Sequence, residues 1–379
     1  MKNSLLILSF FLLFTNGCNT KKSASITDMA TLSVDITSNE EMRLSDYFDD
    51  FRMVKLSTDK DYLIGEIQKI QLTNHKIFIS DGLSMFVFSE TGDFISGFNH
   101  VGRGPGEYQK ITDFTIVGED IVILNRSMRK LLKYNSSGMC ISEKGLDYWA
   151  MKISSPVDSS YMIYCGNESE DEFKLHLTKD GQTVDHFLPV NSVQAKYLHI
   201  SGPSNFFKYK NTVRFFEVFN DTVYTLINKK IERKYYIDYQ GKNIPSSFFD
   251  GNYADVFNFF QAVHKTSYAY GIDKFAENDK MILFGSIYQK VQKLTIAYIH
   301  NRITQTFATV KDDIYFDSLI IPAEDFNYFA DSSIIFPVDA PTVIEWRNKY
   351  QPSAKYAKAI NETQENDNPV LLIFNLKEQ

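Results

Sequence analysis

The sequence contains only three cysteines and two tryptophans among its 379 residues. It has no C-x-x-C pair and no cysteine or histidine spacing that is typical of a zinc site. A G-x-S-x-G elbow, an H-E-x-x-H helix and a P-loop are also absent from it. The sequence therefore contains no motif that indicates catalysis, and we expect neither a bound metal nor a cofactor.

Positive charge is not in excess either. The formal net charge is −7 at pH 7. Proteins that bind DNA or RNA usually carry clustered lysine and arginine, because these residues neutralise the phosphate backbone. The charge balance therefore argues against a nucleic-acid partner.

Long apolar runs are missing except near the start of the chain. Lys2 is followed by an apolar run at residues 5–14, which is too short to span a bilayer as a helix. A positive residue followed by a short apolar run is typical of a signal peptide. We assign the signal peptide to residues 1–17.

Residues 14–18 resemble the lipobox of bacterial lipoproteins, in which a small residue precedes a cysteine. The resemblance implies that Cys18 is lipidated and becomes the mature N-terminus, and two or more acyl chains on one residue give firm anchoring. Thr15 stands where the lipobox prefers leucine, so cleavage without an anchor is the alternative. Residues 18–30 are small and polar, and we expect them to form a lipidated tether.

Aromatic residues are abundant: Phe and Tyr number 31 and 22. Such residues favour strands and supply a large core. Two short apolar strand patterns separated by a turn recur along the chain, beginning at Ile77, Ile121 and Tyr161. The first two starts are 44 residues apart.

A period of 40 to 50 residues with several short strands per unit is typical of a β-propeller, because one blade cannot bury both of its faces alone. The length from residue 45 to the C-terminus fits six or seven blades, and we favour six. Residues 31–379 are therefore predicted to form one all-β propeller domain. Helix-forming residues at 344–350 and 354–360 predict a short helical insertion in the last blade.

Ring closure accounts for the last strand pattern, at residues 368–376. Overlap of the two ends of the chain would remove the exposed edges of an open ring. We expect the partner strand of the C-terminal strand to lie within residues 32–56.

Cys140 and Cys165 lie in apolar, strand-like stretches of different repeats. An envelope location permits a disulfide between them. Packing as a small apolar side chain is the commoner role for such cysteines. We expect that role here.

Three segments resemble the six-bladed β-propeller lipoproteins of Gram-negative envelopes, a family of unknown function that is distantly similar to NHL-type repeats. The segments are residues 102–108 (GRGPGEY), residues 219–224 (FNDTVY) and residues 368–371 (NPVL). The resemblance covers most of the mature chain and implies a propeller in the cell envelope. Asn19 and the lack of an acidic run after Cys18 favour an outer-membrane anchor that faces the periplasm. The resemblance implies no activity.

The glycine-rich junction at residues 102–106 supplies the candidate ligand-binding residues. Arg103 and Glu107 flank this turn and either pair with each other or project toward a ligand as donor and acceptor. His100 lies just before the turn and is the histidine best placed to join such a site. Local pairing or hydrogen bonding explains all three as well, and we prefer that structural interpretation.

Asp81 and Asn125 follow equivalent strands of neighbouring repeats. Oxygen ligands at equivalent blade positions could surround a calcium ion in the central channel. Asx turns explain both residues as well, and we prefer that interpretation.

We therefore favour a non-enzymatic binding or scaffold module for a protein, peptide or glycan partner. The alternative is a metal-dependent propeller enzyme of the lactonase or lyase type, with its site in the central channel. Such an enzyme needs three or four convergent metal ligands and a free coordination position. A passive structural spacer is a third possibility.

Overall fold

The computed structural model describes residues 29–49, 52–155, 160–170, 172–210, 212–227, 229–312, 319–322, 328–330, 333–350 and 354–378. They form six sheets. The innermost strands contact one another in a closed cycle around a central channel. The predicted six-bladed β-propeller is confirmed. The signal peptide, Cys18 and nearly all of the predicted tether lie outside the described residues.

The strands and helices follow one another in blade order. The N-terminal segment contains β1 (Ala30–Ser33), β2 (Glu40–Arg43), the short helix α1 (Leu44–Tyr47) and β3 (Arg52–Lys55). Blade 1 contains β4 (Lys69–Thr73), β5 (Lys76–Ser80), β6 (Met85–Ser89) and β7 (Phe94–Phe98). Blade 2 contains β8 (Asp113–Val117), β9 (Asp120–Asn125), β10 (Lys130–Tyr134) and β11 (Cys140–Gly145). Blade 3 contains β12 (Lys152–Ser154), β13 (Ser160–Tyr164), β14 (Phe173–Lys179) and β15 (Gln182–Pro189).

The second half of the ring is more elaborate. Blade 4 contains β16 (Phe206–Tyr209), β17 (Thr212–Phe215), β18 (Thr222–Ile227) and β19 (Lys230–Asp238), and helix α2 (Val256–Val263) follows it. Blade 5 contains β20 (Ala269–Tyr270), β21 (Phe275–Glu277), β22 (Met281–Tyr288), β23 (Val291–Tyr298), β24 (Thr304–Asp312) and β25 (Leu319–Pro322). Blade 6 contains β26 (Tyr328–Ala330), β27 (Ser333–Val338), α3 (Ala340–Lys349), α4 (Ala354–Asn361) and β28 (Val370–Asn375). Short 3₁₀ turns lie at Gly166–Glu168, Gln194–Lys196 and Ser246–Phe248.

The ring closes through the N-terminal segment. Strand β3 pairs antiparallel with β28 at the outer edge of blade 6, with Val54 opposite Leu371. The partner of the C-terminal strand therefore lies within residues 32–56, as predicted. The same segment also adds β1 in parallel to β19 and β2 in parallel to β24, so it covers the outer edges of three consecutive blades.

Blade stacking follows from the burial of both faces of each sheet. Ile77 and Ile79 of β5 pack with residues of blade 6. Phe78 lies between them in sequence and packs against Phe114 of blade 2. Because successive side chains of a strand point to opposite faces, one strand contributes to two interfaces, and each blade needs both neighbours.

The two faces of the ring differ in their connections. The strands of each blade alternate in direction, so chain reversals alternate between the faces. One face carries short turns such as Asn74 and His75, whose φ angles are 53° and 57°. The other face carries the long connections at residues 99–112, 190–205, 239–268 and 339–369. We call these the turn face and the loop face.

The predicted C-terminal helical insertion is confirmed as α3 and α4, which lie between β27 and β28. Helix α2 was not predicted. Its N-terminus is capped by Asp255, which accepts a hydrogen bond from Asn258 N at 2.8 Å. Phe259 and Val263 are its buried residues, and they pack in an aromatic cluster. The described helices include none that is long and apolar enough to cross a membrane.

Cys140 and Cys165 are both thiols in the structure and do not form a disulfide with each other. Cys165 is fully buried, whereas Cys140 is half-buried on β11. The expected packing role therefore agrees with the structure.

Candidate functional site at the channel mouth

The structure places His100, Arg103 and Glu107 in the loop-face connection between blades 1 and 2. His100 Nε2 donates to Gly138 O at 2.8 Å, and its ring stacks on Phe98 and Tyr134. The imidazole is thus held between β7 of blade 1 and the β10–β11 hairpin of blade 2.

Arg103 and Glu107 have different partners. Glu107 Oε2 accepts a hydrogen bond from Gly104 N at 2.7 Å, and a Cβ atom at Gly102 would collide with the Glu107 carboxylate. The Arg103 guanidinium donates to the Gln109 side-chain oxygen, with Nε at 2.9 Å, once that amide is oriented to accept. Local hydrogen bonds thus occupy both side chains, and a ligand role for His100, Arg103 and Glu107 stays a prediction.

Asp81 and Asn125 form Asx turns on the loop face. Asp81 Oδ1 accepts from Ser84 N at 2.7 Å, and Asn125 Oδ1 accepts from Met128 N at 3.1 Å. The interpretation of Asp81 and Asn125 as residues that cap local turns is therefore confirmed. The part of the chain that the structure describes contains no group of three or more His, Cys, Asp or Glu side chains arranged to hold a metal ion.

A polar cavity lies instead at the loop-face mouth of the central channel. Its volume is about 320 Å³. Five of the inner strands place their first residue in its wall, and a loop residue adjoins them. These residues are Lys69 of β4, Asp113 of β8, Lys152 of β12, Phe206 of β16, Tyr328 of β26 and Asn205, which directly precedes β16. We call this cavity the channel mouth.

Asp113 organises one side of the channel mouth. Its Oδ1 atom accepts from Lys69 Nζ at 2.7 Å and from Phe114 N at 2.9 Å. Its Oδ2 atom accepts from Ile153 N at 2.8 Å. The carboxylate therefore joins blades 1, 2 and 3. Because these bonds engage both of its oxygens, Asp113 positions Lys69 rather than acting as an available base.

Lys152 is the second cation of the channel mouth. Its Nζ donates to Pro203 O at 2.9 Å. Burial lowers the pKa of Lys152; the Asp113 carboxylate opposes this shift and the nearby Lys69 ammonium adds to it. The direction of this shift means that burial disfavours the charged form of Lys152.

Asn205 adds an acceptor to the same wall. Its Nδ2 donates to Phe216 O at 3.0 Å. Its Oδ1 atom is buried and accepts a hydrogen bond from no residue that the structure describes. The whole residue is 1% exposed. A buried acceptor of this kind is costly unless a donor reaches it.

The channel continues from the mouth into a second chamber of about 190 Å³. Gln71, Thr115, Ser154 and Lys208 contribute polar groups to its wall. Lys208 and Lys210 bring the number of lysines in the channel wall to four, against the single carboxylate at the mouth, and Lys210 is paired with Asp279. The channel can therefore accommodate a polar or anionic group.

Sequence reasoning missed the channel mouth, although a signal for it exists. The recognised repeats begin at the second strand of each blade. Lys69 lies eight residues before Ile77, and Asp113 lies eight residues before Ile121. Extension of each repeat by one short strand toward the N-terminus would have aligned these charged residues.

The fold and the channel mouth define a six-bladed propeller with a polar, axial cavity. The chain belongs to the family described as "Domain of unknown function (DUF4934)", whose sequence model matches residues 29–375. This confirms the predicted membership of a propeller family without a settled activity. No curated protein matches the sequence.

Solved structures share the fold at low sequence identity. A Bacteroides fragilis protein thought to be exported is 18% identical with a TM-score of 0.71, over 92% of this chain and 99% of that one. BamB from Moraxella catarrhalis is 8% identical with a TM-score of 0.43, over 86% of this chain and 99% of that one. Virginiamycin B lyase from Staphylococcus aureus is 13% identical with a TM-score of 0.42, over 86% and 99%. The first similarity shows the fold alone, and the other two carry no argument.

Proposed function

We propose that the protein is a lipid-anchored binding module of the cell envelope that holds its ligand at the channel mouth. One observation carries the proposal. A cavity of ligand size lies on the axis of the loop face, and the half-buried Lys152 and the buried Asn205 bring polar groups to its wall. Concave cavities with a few convergent polar groups are the usual form of small-molecule sites.

Binding accounts for this chemistry better than catalysis does. The carboxylate at the channel mouth is engaged by Lys69 and by two backbone N–H groups. A general base must be within reach of the proton that it removes, and Asp113 is instead used to hold Lys69. Lys152 and Asn205, which also line the cavity, can donate to and accept from a ligand without a chemical step.

The envelope location rests on the sequence at residues 1–18. A signal peptide and lipidation at Cys18 would place the propeller on a membrane, and we propose the outer membrane with the protein facing the periplasm. The Bacteroides fragilis protein that shares this fold is itself thought to be exported.

Site-specific photo-crosslinking tests the binding proposal. The photoreactive residue p-benzoylphenylalanine replaces Gln68 at the channel mouth in one protein and Ser136, an exposed turn-face residue, in a control. After irradiation of whole cells, mass spectrometry of the purified chain should show a defined adduct at position 68. The proposal is wrong if position 68 gives no adduct or if position 136 gives the same adduct.

Membrane fractionation tests the anchor separately. The variant Cys18→Ala should leave the membrane fraction and appear in a soluble fraction, because the acyl chains would have no attachment site. Retention of this variant in membranes would contradict lipidation at Cys18.

A further inference from the structure

We propose that the ligand of the channel mouth is a small carboxylate that carries a hydroxyl or N–H donor close to its charged group. This inference rests on the proposed function and adds the chemical class of the ligand. Three features of the channel mouth support it independently: the charge balance, the buried acceptor and the shape of the wall.

The lysines of the channel mouth outnumber its carboxylate by one, so a ligand with one negative charge would balance them. Two ammonium groups, those of Lys69 and Lys152, face the mouth with a single carboxylate, that of Asp113. Asp113 pairs with Lys69 at 2.7 Å. Lys152 has three donors and uses one of them on Pro203 O. An anion beside Lys152 would compensate its charge in a site where burial disfavours that charge.

The buried acceptor calls for a donor on the same ligand. A carboxylate only accepts hydrogen bonds, so it cannot satisfy the Oδ1 atom of Asn205. A hydroxyl or N–H group next to the carboxylate can do so. A ligand with both groups therefore satisfies Lys152 and Asn205 at the same time.

The size and the apolar part of the wall limit the ligand further. A volume of about 320 Å³ lies at the small end of ligand pockets. Phe206, Tyr328 and Phe329 supply aromatic surface to the wall, which suits a sugar ring or an alkyl group. Two sources share this chemistry: an acidic sugar such as a uronate, and the C-terminal residue of a peptide with its N–H group.

A single phosphate group is a poorer match. It carries up to two negative charges and is usually bound by arginine forks or by several backbone N–H groups. Among the residues that line the channel mouth, the cationic groups are the two lysines, and one of them is already paired with Asp113. We therefore expect inorganic phosphate to bind more weakly than a suitable carboxylate.

Calorimetric titration of the full chain, purified from membranes in detergent, tests the inference. The probes are D-glucuronate for the sugar source, N-acetylglycine for the peptide source, D-glucose as a neutral sugar, acetate as a carboxylate without a donor, and inorganic phosphate. At least one of the first two should bind, and glucose, acetate and phosphate should each bind at least about tenfold more weakly.

Variants assign the binding to the channel mouth. Lys152→Met should weaken the bound carboxylate at least about tenfold, and Lys152→Arg should restore part of the affinity because it keeps the charge. Asn205→Ser should weaken D-glucuronate or N-acetylglycine without changing the response to acetate. Lys196→Met, which removes an exposed loop-face lysine outside the channel wall, should leave the affinity unchanged. Thermal unfolding of each variant identifies any that fails to fold.

The outcomes separate this inference from the proposed function. If glucose binds as well as glucuronate and Asn205→Ser abolishes both, the channel mouth binds ligands but the carboxylate assignment is wrong. If neither carboxylate binds while position 68 still gives its photo-adduct, the ligand class is wrong and the binding module stands. Equal affinity of a carboxylate for the wild type and for folded Lys152→Met also overturns the inference.

Discussion

Arg214 and Glu277 form a bidentate ion pair between blades 4 and 5, with Nε 2.6 Å from Oε2 and Nη2 3.0 Å from Oε1. Both residues are buried, with exposures of 5% and 2%. The Tyr235 hydroxyl donates to Glu277 Oε1 at 2.8 Å. A charged contact therefore joins two blades whose other packing is largely apolar.

Loss of one partner of this ion pair should destabilise the ring strongly. The variant Arg214→Met removes the guanidinium from the buried Glu277 carboxylate, and loss of one partner of a buried ion pair typically costs about 3 to 5 kcal/mol. Urea denaturation followed by circular dichroism should show the midpoint moving to lower urea. The matched control is Lys210→Met, which breaks the exposed Lys210–Asp279 pair and should leave the midpoint nearly unchanged. An unaffected midpoint in Arg214→Met would show that the pair contributes little.

Closure of the ring should depend on the buried residues around β3. Leu56 directly follows this strand and is completely buried between blades 6 and 1. Leu56→Ala should lower the free energy of unfolding by about 2 to 5 kcal/mol, because it leaves a cavity in that interface. Leu63→Ala, at a position that is 51% exposed, should change it by less than about 0.5 kcal/mol. Equal effects of the two variants would argue against closure at this position.

Asp221 should make the stability depend on pH. Burial raises the pKa of Asp221 from 3.8 to about 6, Asn243 opposes the shift with a hydrogen bond, and Asp238 adds to it. The pKa of Asp221 is higher in the folded state than in the unfolded state, so the contribution of its protonated form to stability is fully present below pH 4. It is lost as the pH rises through 6.

The variant Asp221→Asn should therefore be more stable than the wild type at pH 8, by about 2 kcal/mol. Its advantage should shrink as the pH falls toward 4.5, because the wild-type carboxyl becomes protonated. Urea titrations at a series of pH values measure this difference. Asp185→Asn removes an exposed carboxyl and serves as the control. A constant difference for Asp221→Asn at all pH values would contradict the pKa shift.

We expect Cys140 and Cys165 to be reduced thiols in the purified protein. Without a reductant, two thiols per chain should react with maleimide in denaturant, and Cys18 should add none if it is lipidated. In the folded protein the half-buried Cys140 should react well before Cys165, which is completely buried. Peptide mapping by mass spectrometry distinguishes the two sites. A Cys140–Cys165 linked peptide would contradict the structure.

The ring was predictable because its signal repeats. The apolar patterns that begin at Ile77 and Ile121 lie in strands that are buried on both faces, so the two blades share one strong pattern at a nearly constant spacing. The C-terminal helices were also predictable. Asp339 caps α3 by accepting from Thr342 N at 2.8 Å, and Pro341 lies in its first turn, where proline is tolerated.

Other features carried no repeated signal. Strands β1 and β2 have four residues each. They pair with β19 and β24, which are distant in the sequence, and a local residue pattern does not show such pairing. Helix α2 has only eight residues, so its helical period extends over little more than two turns. The channel mouth was missed because its residues come from short inner strands of different blades. Lys69, Lys152 and Asn205 become neighbours only when the ring closes.

The central claim is that the channel mouth on the loop face is the ligand site of this propeller. A crystal structure of the chain with D-glucuronate, or with N-acetylglycine if only that probe binds, tests it most directly. We predict a carboxylate within hydrogen-bonding distance of Lys152 Nζ and a ligand hydroxyl or N–H group that donates to Asn205 Oδ1. Ligand density on the turn face or at the outer edge of a blade, with none at the channel mouth, would contradict the account.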